Sequence, residues 1–160
     1  MKRRFFLAGM LSAAVLLGAA GGHAATWVEN RVDILNKNVQ TNYYDADSVK
    51  VSDKTLIWTE KFQLTEFGEK AYTKHLKQYP ACMKNIAEKG NVTHHQVDFE
   101  IKEGKWRMVA KRNYNKKDEL VCTDKEMNNE LDTRWYKITN HSPMSERYYI
   151  FVTKFKVGNI

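Results

Sequence analysis

The clearest alternation of apolar and polar positions lies between residues 96 and 111. It predicts two antiparallel strands joined by a two-residue turn at Glu103-Gly104, because alternation with a period of two is typical of half-buried strands. In this register three apolar pairs share one face of the hairpin: Ile101 with Trp106, Phe99 with Met108, and Val97 with Ala110. A three-residue turn would mix apolar and charged positions on each face, so burial favours the two-residue turn. The same register places Glu100 opposite Arg107 on the polar face, which is a favourable cross-strand pair.

Shorter runs of β-branched and aromatic residues predict further strands. These are an edge strand within Thr26–Val32, a strand over Lys54–Phe62, a strand that begins at Leu120-Val121-Cys122, and a short apolar return over Trp135–Ile138. The polar segments Asp45–Ser48 and Asn115–Asp118 have the composition of turns.

Apolar residues recur at helical spacing in three segments. Thr65 is positioned to cap a helix whose apolar positions are Phe67, Ala71, Tyr72, Leu76 and Tyr79, and Pro80 separates this helix from a second one over Ala81–Glu88 that ends at Gly90. Ser142-Pro143 predicts the start of a C-terminal helix with apolar positions from Met144 to Phe155, although the residue types of Tyr148–Thr153 also suit a strand. The expected fold class is therefore α+β: a single domain with an antiparallel β-sheet packed by a C-terminal helix, and a helical insertion after the third strand.

The first 24 residues have the pattern of a secretory signal peptide. Lys2, Arg3 and Arg4 precede the apolar run Phe5–Ala20, and Gly22-His23-Ala24 places small residues at the positions of a cleavage site. The expected organisation is a signal peptide over 1–24 and one domain over 25–160. The sequence therefore predicts a periplasmic or secreted protein without stable membrane insertion.

Export changes how the two cysteines, Cys82 and Cys122, are interpreted. An even number of cysteines in an exported chain favours a disulfide. Closing a loop of about 40 residues would stabilise the fold by roughly 4 kcal/mol in the chain-entropy treatment. Two separate buried thiols are the alternative.

No catalytic motif stands out, and we expect a protein that is not an enzyme and has no cofactor or metal. His94 and His95 are adjacent, so on a strand they point to opposite faces and cannot jointly hold one metal ion. Asp45 and Asp47 could begin a calcium loop, but the glycine and distant glutamate of such a loop are missing, which favours a plain turn. A nucleophile formed by Cys82 or Cys122 with a histidine is a further alternative that a disulfide would exclude.

The charge distribution gives the main functional hypothesis. The chain has a formal net charge of +7, and the expected loss of the three basic residues of the signal peptide leaves +4. This excess lies in the second half of the chain, and seven basic residues fall within sixteen positions opposed only by Glu103. They are Lys102, Lys105, Arg107, Lys111, Arg112, Lys116 and Lys117, of which all but Lys102 form our predicted ligand-binding set. Arg107 and Lys111 are expected to share a strand face, so these residues predict a basic stripe for an acidic partner; the alternative is an ordinary solvated strand face.

The order of several short motifs resembles the surface-adhesin E family. They are Trp27, Tyr43-Tyr44-Asp45 with Ser48, Leu56-Ile57-Trp58, Trp106-Arg107 through Tyr114, Trp135, and the segment from Ser142 onward. The resemblance implies an antiparallel sheet backed by a C-terminal helix, and binding of host extracellular-matrix proteins or plasminogen. This sequence differs from the family in lacking a lipidation cysteine and in the positions of Cys82 and Cys122.

Three functional hypotheses follow. The first is an exported, non-enzymatic binding domain that contacts a host extracellular-matrix protein, a glycosaminoglycan or another acidic partner through the basic hairpin. The second is a periplasmic accessory or inhibitor protein with no host contact, and the third is an enzyme with an unrecognised site. Nucleic acid is not expected as a partner, because the charge of +4 is small for that role in an exported protein. The sequence leaves the oligomeric state open.

Overall fold

The computed structural model of the chain describes residues 24–30, 38–52 and 54–155. The expected signal peptide therefore lies outside the described residues except for Ala24, as does the end of the expected edge strand beyond Asn30. The described part contains eight strands and three helices: β1 Trp27–Asn30, β2 Gln40–Asp45, β3 Lys50–Ser52, β4 Thr55–Leu64, α1 Glu66–Leu76, α2 Pro80–Lys89, β5 His94–Lys102, β6 Lys105–Tyr114, β7 Leu120–Thr123, β8 Tyr136–Lys137 and α3 Pro143–Phe155.

All eight strands form one antiparallel sheet, which confirms the α+β class. The main path follows the order β1-β2-β4-β5-β6-β7, while β3 pairs with β4 and β8 pairs with β6. The helices α1 and α2 lie between β4 and β5 in sequence, yet these two strands are neighbours in the sheet. Four strands precede this helical insertion rather than the three expected, and neither β2 nor β3 was predicted as a separate strand.

The helices begin where the sequence predicts them. The Thr65 hydroxyl accepts a hydrogen bond from the Gly68 amide at 3.1 Å and so caps α1. At the start of α3 the Ser142 hydroxyl accepts from the Ser145 amide at 3.1 Å, and Pro143 is the first helical residue. The C-terminal segment is thus a helix rather than the alternative strand.

The face of the sheet that packs against α3, here called the inner face, carries the larger apolar core. Trp58 of β4 and Phe151 of α3 are both fully buried, with ring centroids 4.8 Å apart, and Phe99 stacks on Trp58 at 5.3 Å. A second core joins α1, α2 and β7 around the disulfide between Cys82 and Cys122, whose Cα atoms are 5.3 Å apart. The predicted pairing of the cysteines is confirmed. The apolar spacing was wrong at the start of α1, because Phe67 is 67% exposed while Gly68 faces the protein instead.

A β-bulge in β6 changes the predicted register of the hairpin. Ile101 pairs with Trp106 and Phe99 with Met108 as expected, but the next pair is Asp98 with Ala110, so that Val109 is an extra residue on β6. Val97 therefore lies opposite Lys111, and the predicted pairing of Val97 with Ala110 was wrong. The two-residue turn at Glu103-Gly104 is confirmed, and both of its residues have positive φ angles, of 50° and 69°.

Candidate functional site

Three lysines lie side by side on the outer face of the sheet, at the end where β5 turns into β6. Lys102 is the cross-strand partner of Lys105, and Lys105 is the partner of Lys137 in β8. Directly opposite residues of antiparallel strands point to the same face, with their Cβ atoms about 5 Å apart. All three side chains are exposed, and none forms a salt bridge with the residues that the structure describes. We call these three residues the lysine row.

The surroundings of the lysine row add few negative charges. Glu103, in the turn beside it, is exposed and has no salt bridge within the described ranges. In the next row of the sheet Glu100 is neutralised by Arg107, with 2.6 Å between Oε2 and Nη2. The Arg107 guanidinium also lies 4.6 Å from the ring centre of Trp135, which is 39% exposed. The lysine row is therefore a part of this outer face where adjacent positive charges have no salt bridge to the described residues.

The other predicted basic residues lie elsewhere. Arg112 forms two hydrogen bonds of 2.5 and 2.8 Å with Asp98, so its charge is balanced within the sheet. Lys116 and Lys117 are exposed in the turn after β6, at the end of a ten-residue strand about 33 Å long that begins at Lys105. Of the six predicted ligand-binding residues, Lys105 and Arg107 share the outer face of β6, and Arg107 and Arg112 line one outer-face cavity together with Glu100 and Asp98.

Lys111 points to the inner face, which corrects the expectation that it shares a face with Arg107. The bulge at Val109 exchanges the faces to which the side chains of β6 point in the residues that follow it. As a result Arg112, rather than Lys111, reaches Asp98 on the outer face. The Lys111 ammonium instead lies 4.9 Å from the ring centre of Tyr72 in α1.

The inner face holds two adjoining cavities that share Phe62, Phe99 and Met108 in their walls. The first, of about 500 Å³, lies next to α3 and is lined mainly by apolar and aromatic side chains, including Trp106 and Met144. The second, of about 460 Å³, lies next to α1 and the 124–132 segment. Its polar lining residues are Gln40, His75, His95, Lys111, Glu130 and Asp132.

His95 is the most strongly perturbed group of the second cavity. Its imidazole is stacked between Phe62 and Tyr72, with ring centroids 4.9 and 5.2 Å away. Burial lowers the pKa of His95 to about 3, with a smaller contribution from the positive charge of Lys111. The His95 side chain forms no hydrogen bond with the described residues, and its Nδ1 is fully buried. An unsatisfied buried polar atom costs about 1–3 kcal/mol, so this histidine calls for an explanation.

The two carboxylates near His95 contact basic side chains, whereas the nearby lysine forms no salt bridge with the described residues. Glu130 lies 3.3 Å from His75 Nε2, and Asp132 lies 2.7 Å from Arg134. Lys111 has no salt bridge within the described part of the chain. Burial lowers the pKa of Lys111, and the charge of Glu130 partly opposes this effect. Among the residues that the structure describes, Lys111 thus feels the charge of Glu130 but forms no salt bridge.

A buried ion pair lies beneath the first cavity. Arg147 of α3 donates two hydrogen bonds to Glu60 of β4, of 2.7 and 2.9 Å, and the two side chains are 5% and 0% exposed. Glu60 also accepts hydrogen bonds from Trp58 Nε1 at 3.0 Å and from Asn30 Nδ2 at 3.3 Å. These contacts hold α3 at a fixed position on the sheet, and sequence reasoning missed both residues of the pair.

The remaining candidate residues have structural roles. Asp45 accepts a hydrogen bond from the Asp47 amide at 3.0 Å and begins the short 3₁₀ turn Ala46–Ser48, as expected of a plain turn. Because Cys82 and Cys122 are bridged, neither offers a thiolate for a cysteine–histidine nucleophile. His94 stacks on Tyr114, with 5.2 Å between the ring centroids.

In the described ranges, no helix has both the length and the apolar character needed to cross a membrane. Comparison with protein-family models, with curated protein sequences and with solved structures finds no match to this chain.

Proposed function

We propose that this chain is an exported, non-enzymatic binding domain, and that the lysine row of Lys102, Lys105 and Lys137 is its contact surface for an acidic partner. The observation that carries this proposal is the cross-strand alignment of the three lysines. Like charges directly opposite each other destabilise a sheet. A partner that supplies negative charge would relieve this repulsion on binding.

The rest of the outer face supports this choice of surface. Arg107 and Arg112 are already paired with carboxylates, so an acidic partner would compete with Glu100 and Asp98 for them. The lysine row needs no such exchange. Trp135 beside Arg107 adds an exposed aromatic surface at the same end of the sheet, of a kind that is enriched in binding interfaces.

Export is part of the same proposal. The charged and apolar pattern of residues 1–24 is that of a signal peptide. The buried Cys82–Cys122 disulfide is compatible with an oxidising compartment, which favours a periplasmic or secreted protein. Intact mass of the exported protein should correspond to a chain that begins at Ala25, and a retained leader would contradict this part of the proposal.

The class of partner is inferred from charge and from the resemblance to the surface-adhesin E family. That resemblance favours a host extracellular-matrix protein, and a row of exposed lysines equally suits a sulfated glycosaminoglycan, which carries its charge at regular intervals. Since the contacts are between exposed charges, binding should weaken steeply as salt is raised, because the screening length is about 8 Å at physiological ionic strength.

The test is retention of the exported protein on immobilised heparin during a sodium chloride gradient. The triple variant Lys102→Gln, Lys105→Gln, Lys137→Gln should lose most of its retention. The control is Lys116→Gln, Lys117→Gln, Lys125→Gln, which removes the same charge from exposed lysines outside the row. The control should elute close to the parent protein.

Two outcomes would overturn the proposal. If the parent is not retained at low salt, and does not bind matrix proteins either, the domain does not act on acidic partners, and a periplasmic accessory or inhibitor role becomes the better hypothesis. If both triple variants lose retention equally, the interaction follows net charge and the lysine row is not a specific surface.

A further inference from the structure

The two inner-face cavities form one groove with a different character at each end. Phe62, Phe99 and Met108 line both cavities, so apolar side chains form a continuous floor between them. Trp106 and Met144 extend the apolar lining towards α3. At the opposite end the groove reaches Lys111, which forms no salt bridge with the described residues, and His95, whose side chain forms no hydrogen bond with them.

Lys111 and His95 can both donate hydrogen bonds to an acceptor oxygen of a ligand. The Lys111 ammonium is a donor only, and a neutral imidazole has one N–H donor. The pKa of His95 is lowered by burial, so the ring is neutral near pH 7 and offers one donor without adding a second charge. A carboxylate could accept from both, and it would give Lys111 the ion-pair contact that it lacks among the described residues, where Glu130 interacts with it only at longer range.

The apolar floor of the groove favours an apolar chain for the rest of the ligand. Trp106 and Lys111 pair with Ile101 and Val97, which are four positions apart on β5, so the distance corresponds to roughly 13 Å of strand. Between them the lining side chains are apolar, so a polar ligand segment would lose its hydration there without regaining hydrogen bonds. An unbranched apolar chain instead gains from burial over the whole length.

We infer that the inner-face groove binds a monoanionic amphiphile of the fatty-acid class. Its carboxylate lies at Lys111 and His95, and its chain runs over Phe62, Phe99 and Met108 towards Trp106. Glu130 and Asp132 also line the polar end; Asp132 is paired with Arg134, and Glu130 lies 3.3 Å from His75 Nε2. The floor of this site lies on the opposite face of the sheet from Lys102 and Lys105, while Lys137 also borders the cavity next to α3. The polar end at Lys111 and His95 uses none of the three lysines, so it is distinct from the surface proposed above.

The test is calorimetric titration of the purified, exported protein with dodecanoate below its micelle-forming concentration. Dodecyltrimethylammonium is the matched ligand, because it has the same apolar chain and the opposite head-group charge. The parent protein should bind dodecanoate in a saturable manner with one site, and it should bind the cation at least about tenfold more weakly. This comparison uses the unmodified protein and does not depend on how any variant folds.

The Lys111→Met variant keeps an apolar stem at the position and removes the ammonium. It should weaken dodecanoate binding by about tenfold or more, which corresponds to loss of one charge-assisted hydrogen bond. The control Lys116→Met removes an exposed lysine outside the groove and should leave the affinity unchanged. Absence of saturable dodecanoate binding would overturn the inference. Equal affinity for the two head groups would do the same, as would a folded Lys111→Met variant with the affinity of the parent.

Discussion

Replacing Arg147 by methionine would remove the charge that balances Glu60 inside the protein. Glu60 is completely buried, and Arg147 supplies two of its hydrogen bonds, at 2.7 and 2.9 Å. Removing one partner of a buried ion pair destabilises a protein by about 3–5 kcal/mol, because the other charge stays buried without compensation. Glu60 would keep its hydrogen bonds from Trp58 and Asn30, so we expect the lower end of this range.

The assay is urea and thermal unfolding followed by circular dichroism. At about 4 °C per kcal/mol for a domain of this size, a loss of about 3 kcal/mol should lower the melting temperature by roughly 12 °C. The matched control is Arg107→Met, which breaks the Arg107–Glu100 pair, where the two side chains are 35% and 15% exposed. That pair is near the surface and should contribute no more than about 1 kcal/mol.

A second variant separates lost charge balance from lost packing. When Arg147→Met is combined with Glu60→Gln, the buried charge is removed while an acceptor remains for Trp58. The double variant should therefore be more stable than Arg147→Met alone. A stability loss from Arg147→Met no larger than that from Arg107→Met would contradict the stabilising role of the buried pair, and so would a double variant less stable than Arg147→Met.

Three further predictions concern the core and the disulfide. Phe99→Ala should destabilise the domain by about 3–5 kcal/mol, because Phe99 is only 5% exposed. Gln96 is half-buried, and its replacement by Ala should cost less than about 1 kcal/mol. Equal losses of stability in urea unfolding would contradict a strand with one buried face. The pKa of His95 is about 3 in the folded protein and 6.5 in the unfolded chain. Between these two pH values only the unfolded chain binds the extra proton, so the free energy of unfolding should fall as pH drops from about 6.5 towards 3. His95→Phe should lose less stability than the parent over this window, and identical pH profiles would argue against the buried neutral ring. Non-reducing intact mass should be about two daltons below the reduced mass, and titratable thiols in the folded protein would contradict the Cys82–Cys122 bridge.

The elements that could be predicted from sequence are those fixed by local patterns. The turn at Glu103-Gly104, the cap at Thr65 and the start of α3 at Ser142-Pro143 depend on residues close together in the chain, and all three agree with the structure. The two cysteines could be paired from their number and the expected export. The bulge at Val109 was missed, although the three consecutive apolar residues Met108, Val109 and Ala110 interrupt the local alternation there. The interruption alone does not fix which residue is unpaired, because that depends on the facing strand β5.

The candidate sites depended on contacts between distant segments. Lys137 joins Lys102 and Lys105 only because β8 returns to pair with β6, and two residues of strand give little sequence signal. The Glu60–Arg147 pair did leave a trace: each residue is a lone charge at a position of an apolar face, Glu60 between Trp58 and Phe62 and Arg147 between Met144 and Phe151. Opposite charges on two faces that are both expected to be buried indicate an ion pair between them.

The most direct test of the lysine row is nuclear magnetic resonance of the isotope-labelled protein during titration with a heparin oligosaccharide at low salt. The largest backbone and lysine side-chain shift changes should occur at Lys102, Lys105 and Lys137, with little change at Lys116 and Lys117, and added salt should reverse them. Changes centred on Lys116 and Lys117, or spread evenly over all exposed lysines, would contradict it.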